Sequence, residues 1–230
     1  MALILNIETS TSVCSASLSD GDKIIGLKES FDDKSHASLL TVFIEELLSE
    51  NNIDADKLQA VSVSEGPGSY TGLRIGVSVA KGICYAKNIP LIAVNTLQAM
   101  AVMTKEKTDT GDNIVFCPMI DARRMEVYSS LFNYDISIKR ETVAEIIDEN
   151  SYSKELTEYK IAFSGNGAEK CKGIITHNNA VFINDIYPSA KYTAQLAKQL
   201  FDKKEFKDTA YFEPYYLKDF IATIPKKKVF

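Results

Sequence analysis

Residues 61–87 read VSVSEGPGSYTGLRIGVSVAKGICYAK, and their order of strand, glycine loop and helix is the unit around which the chain is organised. Ala60, Val61 and Val63 supply a short apolar run with the β-branched side chains of a strand. Gly66, Pro67 and Gly68 end it, because glycine tolerates positive φ and proline presets its own. Ser69 or Thr71 then stands where an N-cap accepts a bond from a free N–H group of the first helical turn.

The helix that follows is mostly apolar or small. At about 100° per residue, Arg74, Ser78, Lys81 and Tyr85 share a polar stripe about 60° wide. Gly72, Gly76 and Ala80 recur every fourth residue and form a ridge without side chains beside Val79 and Ile83. Interior helical glycine costs about 1 kcal/mol relative to alanine, so the ridge implies the close approach of another backbone. Two readings are open: the helix is sandwiched within its own chain, or one side meets a partner protein.

Outward from this unit, residues 3–7 form an apolar strand and Glu8-Thr9-Ser10-Thr11-Ser12 a hydroxyl-rich turn. Residues 13–18 alternate as a second strand, and Asp20-Gly21-Asp22 turns into a third at residues 23–30. Residues 35–50 switch to helical period, with Leu39, Leu40, Phe43, Ile44, Leu47, Leu48 and His36 on one broad half. Residues 89–94 read as a buried strand, Asn95-Thr96-Leu97 opens a helix to Met103, and the polar stretch 104–113 reads as a domain junction.

Beyond it the opening pattern returns: apolar 114–120, the turn Asp121-Ala122-Arg123-Arg124, then alternation over 125–132. With Asp121 set on Glu8, Leu131 falls on Leu18 without a gap, which indicates an internal duplication. Residues 141–150 are predicted as a helix and residues 161–163 as a strand. Ser164-Gly165-Asn166-Gly167 is a second glycine loop, expected to open a helix at Ala168. Two such loops facing each other across a cleft suit the phosphates of a nucleotide, since helix N-termini present free N–H groups. A strand at 180–183, a helix at 190–202 and the aromatic segment YFEPYYL (211–217) complete the chain.

With 230 residues and 45% hydrophobic content, the composition is that of a globular protein of one large or two ordinary domains. No leader-like or membrane-spanning run is read, and four scattered cysteines without a CxxC pair read as reduced, buried thiols of a cytoplasmic protein. A net charge of −5 argues against unaided nucleic-acid binding, and Lys226, Lys227 and Lys228 form the one concentrated basic run, read as a solvated tail rather than a phosphate-binding arm.

The motifs EGPGSYTGLRIG, NIETSTS, DARRMEVY and EPYYLK, in this order and over essentially the whole chain, resemble the TsaB/TsaD (glycoprotease-like) family of the actin-like ATPase superfamily. The resemblance implies an α/β fold of two tandem actin-like (ribonuclease H-like, ASKHA) domains, here residues 1–106 with the dimerisation helices and residues 107–230. It implies the non-catalytic member, which docks through its first helices on a TsaD-type paralogue. With a TsaE-type ATPase, that paralogue transfers threonylcarbamoyl to N6 of adenosine 37 of tRNA. A homodimer is expected for the chain alone, and tRNA is met only through the complex. TsaD-type proteins bind metal through HxxxH on the first helix; here the two positions are His36 and Leu40, so neither a metal site nor a catalytic residue is assigned.

Interface candidates are Ser35, His36, Leu39, Leu40, Phe43 and Leu47 on the first helix, and Gly72, Arg74, Gly76, Val79, Ala80 and Ile83 on the second. For the apolar members an ordinary intrachain core is the alternative. Glu8, Gly165 and Gly167 mark where an actin-type nucleotide sits, so ATP or ADP is expected only weakly or within the complex. Asp121, Arg123 and Arg124 form either a solvated turn or a minor anion contact. The competing function is an autonomous nucleotide hydrolase or glycoprotease-like peptidase using the interdomain cleft.

Overall fold

The computed structural model describes residues 2–32, 36–108 and 113–218. Strands β1 (Leu3–Glu8), β2 (Cys14–Asp20) and β3 (Lys23–Ser30) form an antiparallel meander, and β4 (Ala60–Gly66) and β5 (Leu91–Asn95) extend it in parallel. The sheet order is β3-β2-β1-β4-β5. Strands β6 (Ile114–Asp121), β7 (Glu126–Phe132), β8 (Ile138–Ile146), β9 (Lys160–Ser164) and β10 (Ala180–Ile183) repeat it as β8-β7-β6-β9-β10. Two copies of this mixed, ribonuclease H-like sheet in tandem make the α/β, actin-like architecture that the family resemblance implies.

The duplication holds in topology but not in the ungapped overlay. Glu8 pairs with Ser15 across the first turn, whereas Asp121 pairs with Val127 across the second, which is one residue shorter. Residues 141–150 also depart from expectation. They are not helical, because most of them belong to β8, which pairs with β7 through Tyr128 and Ala144 and through Leu131 and Arg140. Edge pairing there outweighs the helix propensity of Glu141, Ala144 and Glu145.

Helices α1 (His36–Glu50) and α2 (Tyr70–Lys87) cover one face of the first sheet. Along β1, Leu5 and Ile7 point to them, while Ile4 points to the opposite core, as the two-residue strand period requires. That opposite core holds α3 (Thr96–Glu106) and α5 (Ala190–Asp202) between the two sheets. α3, capped by Asn95, follows the first sheet yet packs on β6; α5 follows the second sheet yet lies on β1 and β2. Small serines on β2 let α5 approach: Ser17 donates to the Ala190 carbonyl at 2.9 Å, and the Ala190 N–H donates to Ser15 at 2.8 Å. The short helix α4 (Ser153–Glu158) packs with β9 on the outer face of the second sheet.

Candidate functional site

The loop after β4 folds as its residues dictate. Ser69 is the N-cap of α2, accepting from the Gly72 N–H at 3.3 Å, and Asn88 closes the helix in the left-handed conformation. The glycine ridge of α2, however, is spent inside the chain. A Cβ on Gly72 would lie 2.1 Å from the Thr9 carbonyl oxygen, and one on Gly76 would lie 2.3 Å from Thr9 Oγ1. The Thr9 hydroxyl in turn donates to the Gly72 carbonyl at 2.8 Å. The backbone that comes close is the chain's own β1–β2 turn, which corrects the assignment of Gly72 and Gly76 to a partner surface.

Leu40, Leu47 and Ala80 are likewise buried in the core under α1 and α2. His36 is buried too, with Nε2 2.8 Å from the Thr11 carbonyl oxygen. Leu39, Phe43, Val79 and Ile83 are only half-buried, and Arg74 is exposed. Ser35 lies outside the described residues. The sequence reading named these four half-buried residues but missed three others on the outer side of the helix pair. Val42 on α1 is 42% exposed, Tyr85 on α2 is 87% exposed, and Gly82 faces open space with nothing within 4 Å of a Cβ built on it. The absent side chain at Gly82 was legible, but it falls outside the every-fourth-residue ridge that drew attention.

The nucleotide candidates are also packed. Glu8 is fully buried; its carboxylate accepts from the Ser10 N–H at 2.6 Å and from the Ser64 hydroxyl. Desolvation raises its pKa above the usual carboxylate value, against the opposing hydrogen bonds of Ser10 and Ser64 and the charge of His36. Gly165 has φ +87°, and a Cβ there would meet the Met119 carbonyl oxygen at 2.4 Å; one on Gly167 would come within 2.9 Å of the Ile120 backbone. Both glycines therefore let the second loop press on β6. Only a single 3-10 turn, Glu169–Cys171, follows, in place of the expected helix. In the first loop the Ser69 N–H is already bonded to the Ser10 carbonyl at 2.6 Å. The first loop is a close-packed turn, and the second presses on β6 with its glycines while Gly165, Asn166 and Ala168 line a cavity of about 410 Å³ on its other side.

Residues 207–218 bridge the two halves of the chain, from Leu91 on β5 to Glu126 on β7. The Lys207 N–H donates to the Leu91 carbonyl at 2.8 Å, Lys81 Nζ to the Ala210 and Phe212 carbonyls at 3.1 and 3.0 Å, and the Tyr215 N–H to the Glu65 carbonyl at 2.7 Å. Tyr216 packs on Tyr70 with ring centroids 5.0 Å apart and bonds Arg74. Lys218 then pairs with Glu126 at the start of β7. This strap ties the end of β4 to the second sheet. The four cysteines are free and buried, and desolvation pushes Cys14, Cys84 and Cys171 up to about 11 and Cys117 higher still, so none is a ready thiolate. Among the described residues no three His, Cys, Asp or Glu side chains converge as metal ligands. No helix among them is long and apolar enough to cross a membrane.

Fold and site together define a tandem actin-like protein with its loops packed and one helix pair facing outward. Residues 29–226 match the family described as TsaD, tRNA N6-adenosine threonylcarbamoyltransferase. The chain belongs to this TsaB/TsaD family. It is 27% identical to the tRNA threonylcarbamoyladenosine biosynthesis protein TsaB of Haemophilus influenzae, over 94% of this chain and 93% of that protein. To the protein of the same name in Escherichia coli it is 28% identical, over 95% and 96% respectively. A solved Pseudomonas aeruginosa structure, described as similar to peptidase YEAZ, superposes with TM-score 0.84 at 22% identity, covering 95% of this chain and all of that one.

Proposed function

We propose that this chain is the non-catalytic dimerisation subunit of a tRNA-modifying complex. It binds a TsaD-type paralogue through α1 and α2 and activates it for threonylcarbamoyl transfer to N6 of adenosine 37 of tRNA, alongside a TsaE-type ATPase. The names of the full-length relatives support the pathway. The observation that carries the docking role is the outer seam of α1 and α2. There Val42 and Tyr85 are exposed, Leu39, Phe43, Val79 and Ile83 are half-covered, and Gly82 leaves room for an approaching backbone. Exposed glycine in mid-helix has no intrachain packing reason, so a partner supplies one. The same seam accounts for a homodimer when the chain is alone. The division into residues 1–106 and 107–230 and a cytoplasmic location belong to this reading.

The hydrolase or peptidase alternative has less support. Both carboxylate oxygens of Glu8 are engaged inside the core, and the strap bridges the two halves of the chain between which such an enzyme needs an open cleft. The position four residues after His36 is the buried Leu40.

The test is light scattering after size exclusion, on the chain alone and mixed with its TsaD-type paralogue. A heterodimer is expected, and it should be lost in Gly82→Glu and weakened in Tyr85→Ala without any loss of thermal stability, because neither substitution disturbs the chain's own packing. A chain indifferent to the paralogue would overturn the proposal.

A further inference from the structure

We propose that the β6–β7 turn, with Arg123 and Arg124 at its tip, is a contact site for the phosphates of a nucleic-acid backbone. This rests on the reading above only in making tRNA the relevant polyanion.

The backbone of the turn is the first observation. Arg123 has φ +72° and Arg124 φ +48°, two consecutive side-chain-bearing residues in the left-handed region. Hairpin tips of this shape favour Asn and Gly, and arginine at both positions retains strain. Here the charge stays although glycine would relax the chain.

The turn is also braced from beneath. Lys170 Nζ donates to the Arg124 and Glu126 carbonyls at 2.7 Å each and pairs with Asp121. The Arg123 N–H donates to Asp121 Oδ1 at 2.8 Å, and the Glu126 N–H to the Arg123 carbonyl at 3.1 Å. The bracing preorganises the backbone from which the two arginine side chains project.

Charge bookkeeping points the same way. The two acids of the turn are engaged, Asp121 by Lys170 and Glu126 by Lys218. The nearby Glu169 is engaged by Lys172. Arg140 has Glu145, and Arg74 has Tyr70 and Tyr216. Among the described residues Arg123 and Arg124 have no acidic partner, in a chain of net charge −5. Lys218 seats on Glu126 at the base of this turn.

The geometry favours a strand of nucleic acid over a mononucleotide. Both arginines are exposed at a hairpin tip, where a backbone can lie across them, whereas a nucleotide needs a concave pocket. The cavity beside the second glycine loop, lined by Gly165, Asn166 and Ala168, does not include either arginine.

The experiment measures binding of labelled tRNA to the heterodimer, and to the chain alone, across a salt titration. It compares the wild type, a double Arg123→Gly, Arg124→Gly variant and a double Arg123→Lys, Arg124→Lys variant. Glycine suits positive φ, so the first variant keeps the fold. Two phosphate contacts predict that the slope of log K against log salt falls in magnitude by about 1.4 to 1.8 in the glycine variant and is largely retained with lysine. The fall should be the same for an unrelated RNA of equal length. An unchanged slope in a folded glycine variant would overturn the inference. So would ATP binding that depends on the two arginines while RNA binding does not. Light scattering on the same samples reports separately on the heterodimer, so failure of the docking proposal is visible by itself; tRNA bound by neither the heterodimer nor the chain alone would also overturn this inference.

Discussion

Glu8 shows how burial changes the meaning of a carboxylate. In the turn it looks like a phosphate-site acid, but its environment is that of a core residue bonded to Ser10 and Ser64. Its raised pKa means that the native state holds the proton more tightly than the unfolded chain. The corresponding stability is fully present below the unfolded carboxylate value and is lost as pH rises through the raised native value. Glu8→Gln removes the titration while keeping an acceptor for the Ser10 N–H. The variant should therefore melt above the wild type at about pH 8, with the gap closing towards about pH 4, where both states are protonated. A gap independent of pH in thermal melts would mean that Glu8 does not titrate between the two states.

Helix α2 carries glycines with opposite jobs, and substitution separates them. Gly72 abuts the Thr9 backbone, which cannot move without disturbing β1, so Gly72→Ala should destabilise the chain by about 3 kcal/mol, the upper end of overpacking costs. Gly82 touches nothing, so Gly82→Ala should stabilise the isolated chain by about 1 kcal/mol through helix propensity alone. Denaturant melts of both variants check the pair, and equal effects would reject the division into an inner and an outer face. The polar stripe is divided too: Arg74 and Lys81 hold the strap through Tyr216, Ala210 and Phe212, while Ser78 and Tyr85 remain exposed. The helix thus links the proposed docking seam to the segment that bridges the two halves.

The strap joins the two halves of the molecule. It passes close over Gly66, where φ is +115° and a Cβ would lie 2.8 Å from the Tyr215 carbonyl oxygen. Gly66→Ala combines positive-φ strain with this clash and should cost more than about 1 kcal/mol. It should also lift the strap, which limited proteolysis at the tyrosines around residue 215 would register as faster cleavage. Unaltered cleavage in a folded variant would show that the strap is held by Lys81 and Lys218 instead. The crossed positions of α3 and α5, each packed on the sheet of the other half, give the two domains a common core and explain why sequential reading divides them more sharply than packing does.

The strand, loop and helix of residues 61–87, the Ser69 cap, the α/β class and the repeat of one topology were legible in the sequence by itself. Periodicity, capping and turn chemistry act between residues a few positions apart. Missing side chains at Gly72 and Gly76 announced a close approach, but not that the approaching backbone belongs to Thr9. The pairing of β8, the shorter second turn, the packed state of Gly165 and Gly167, and the exposure of Gly82 were decided only by the tertiary structure. Sheet register and close packing join residues far apart in the chain, and local patterns do not encode which distant surface fills a given gap.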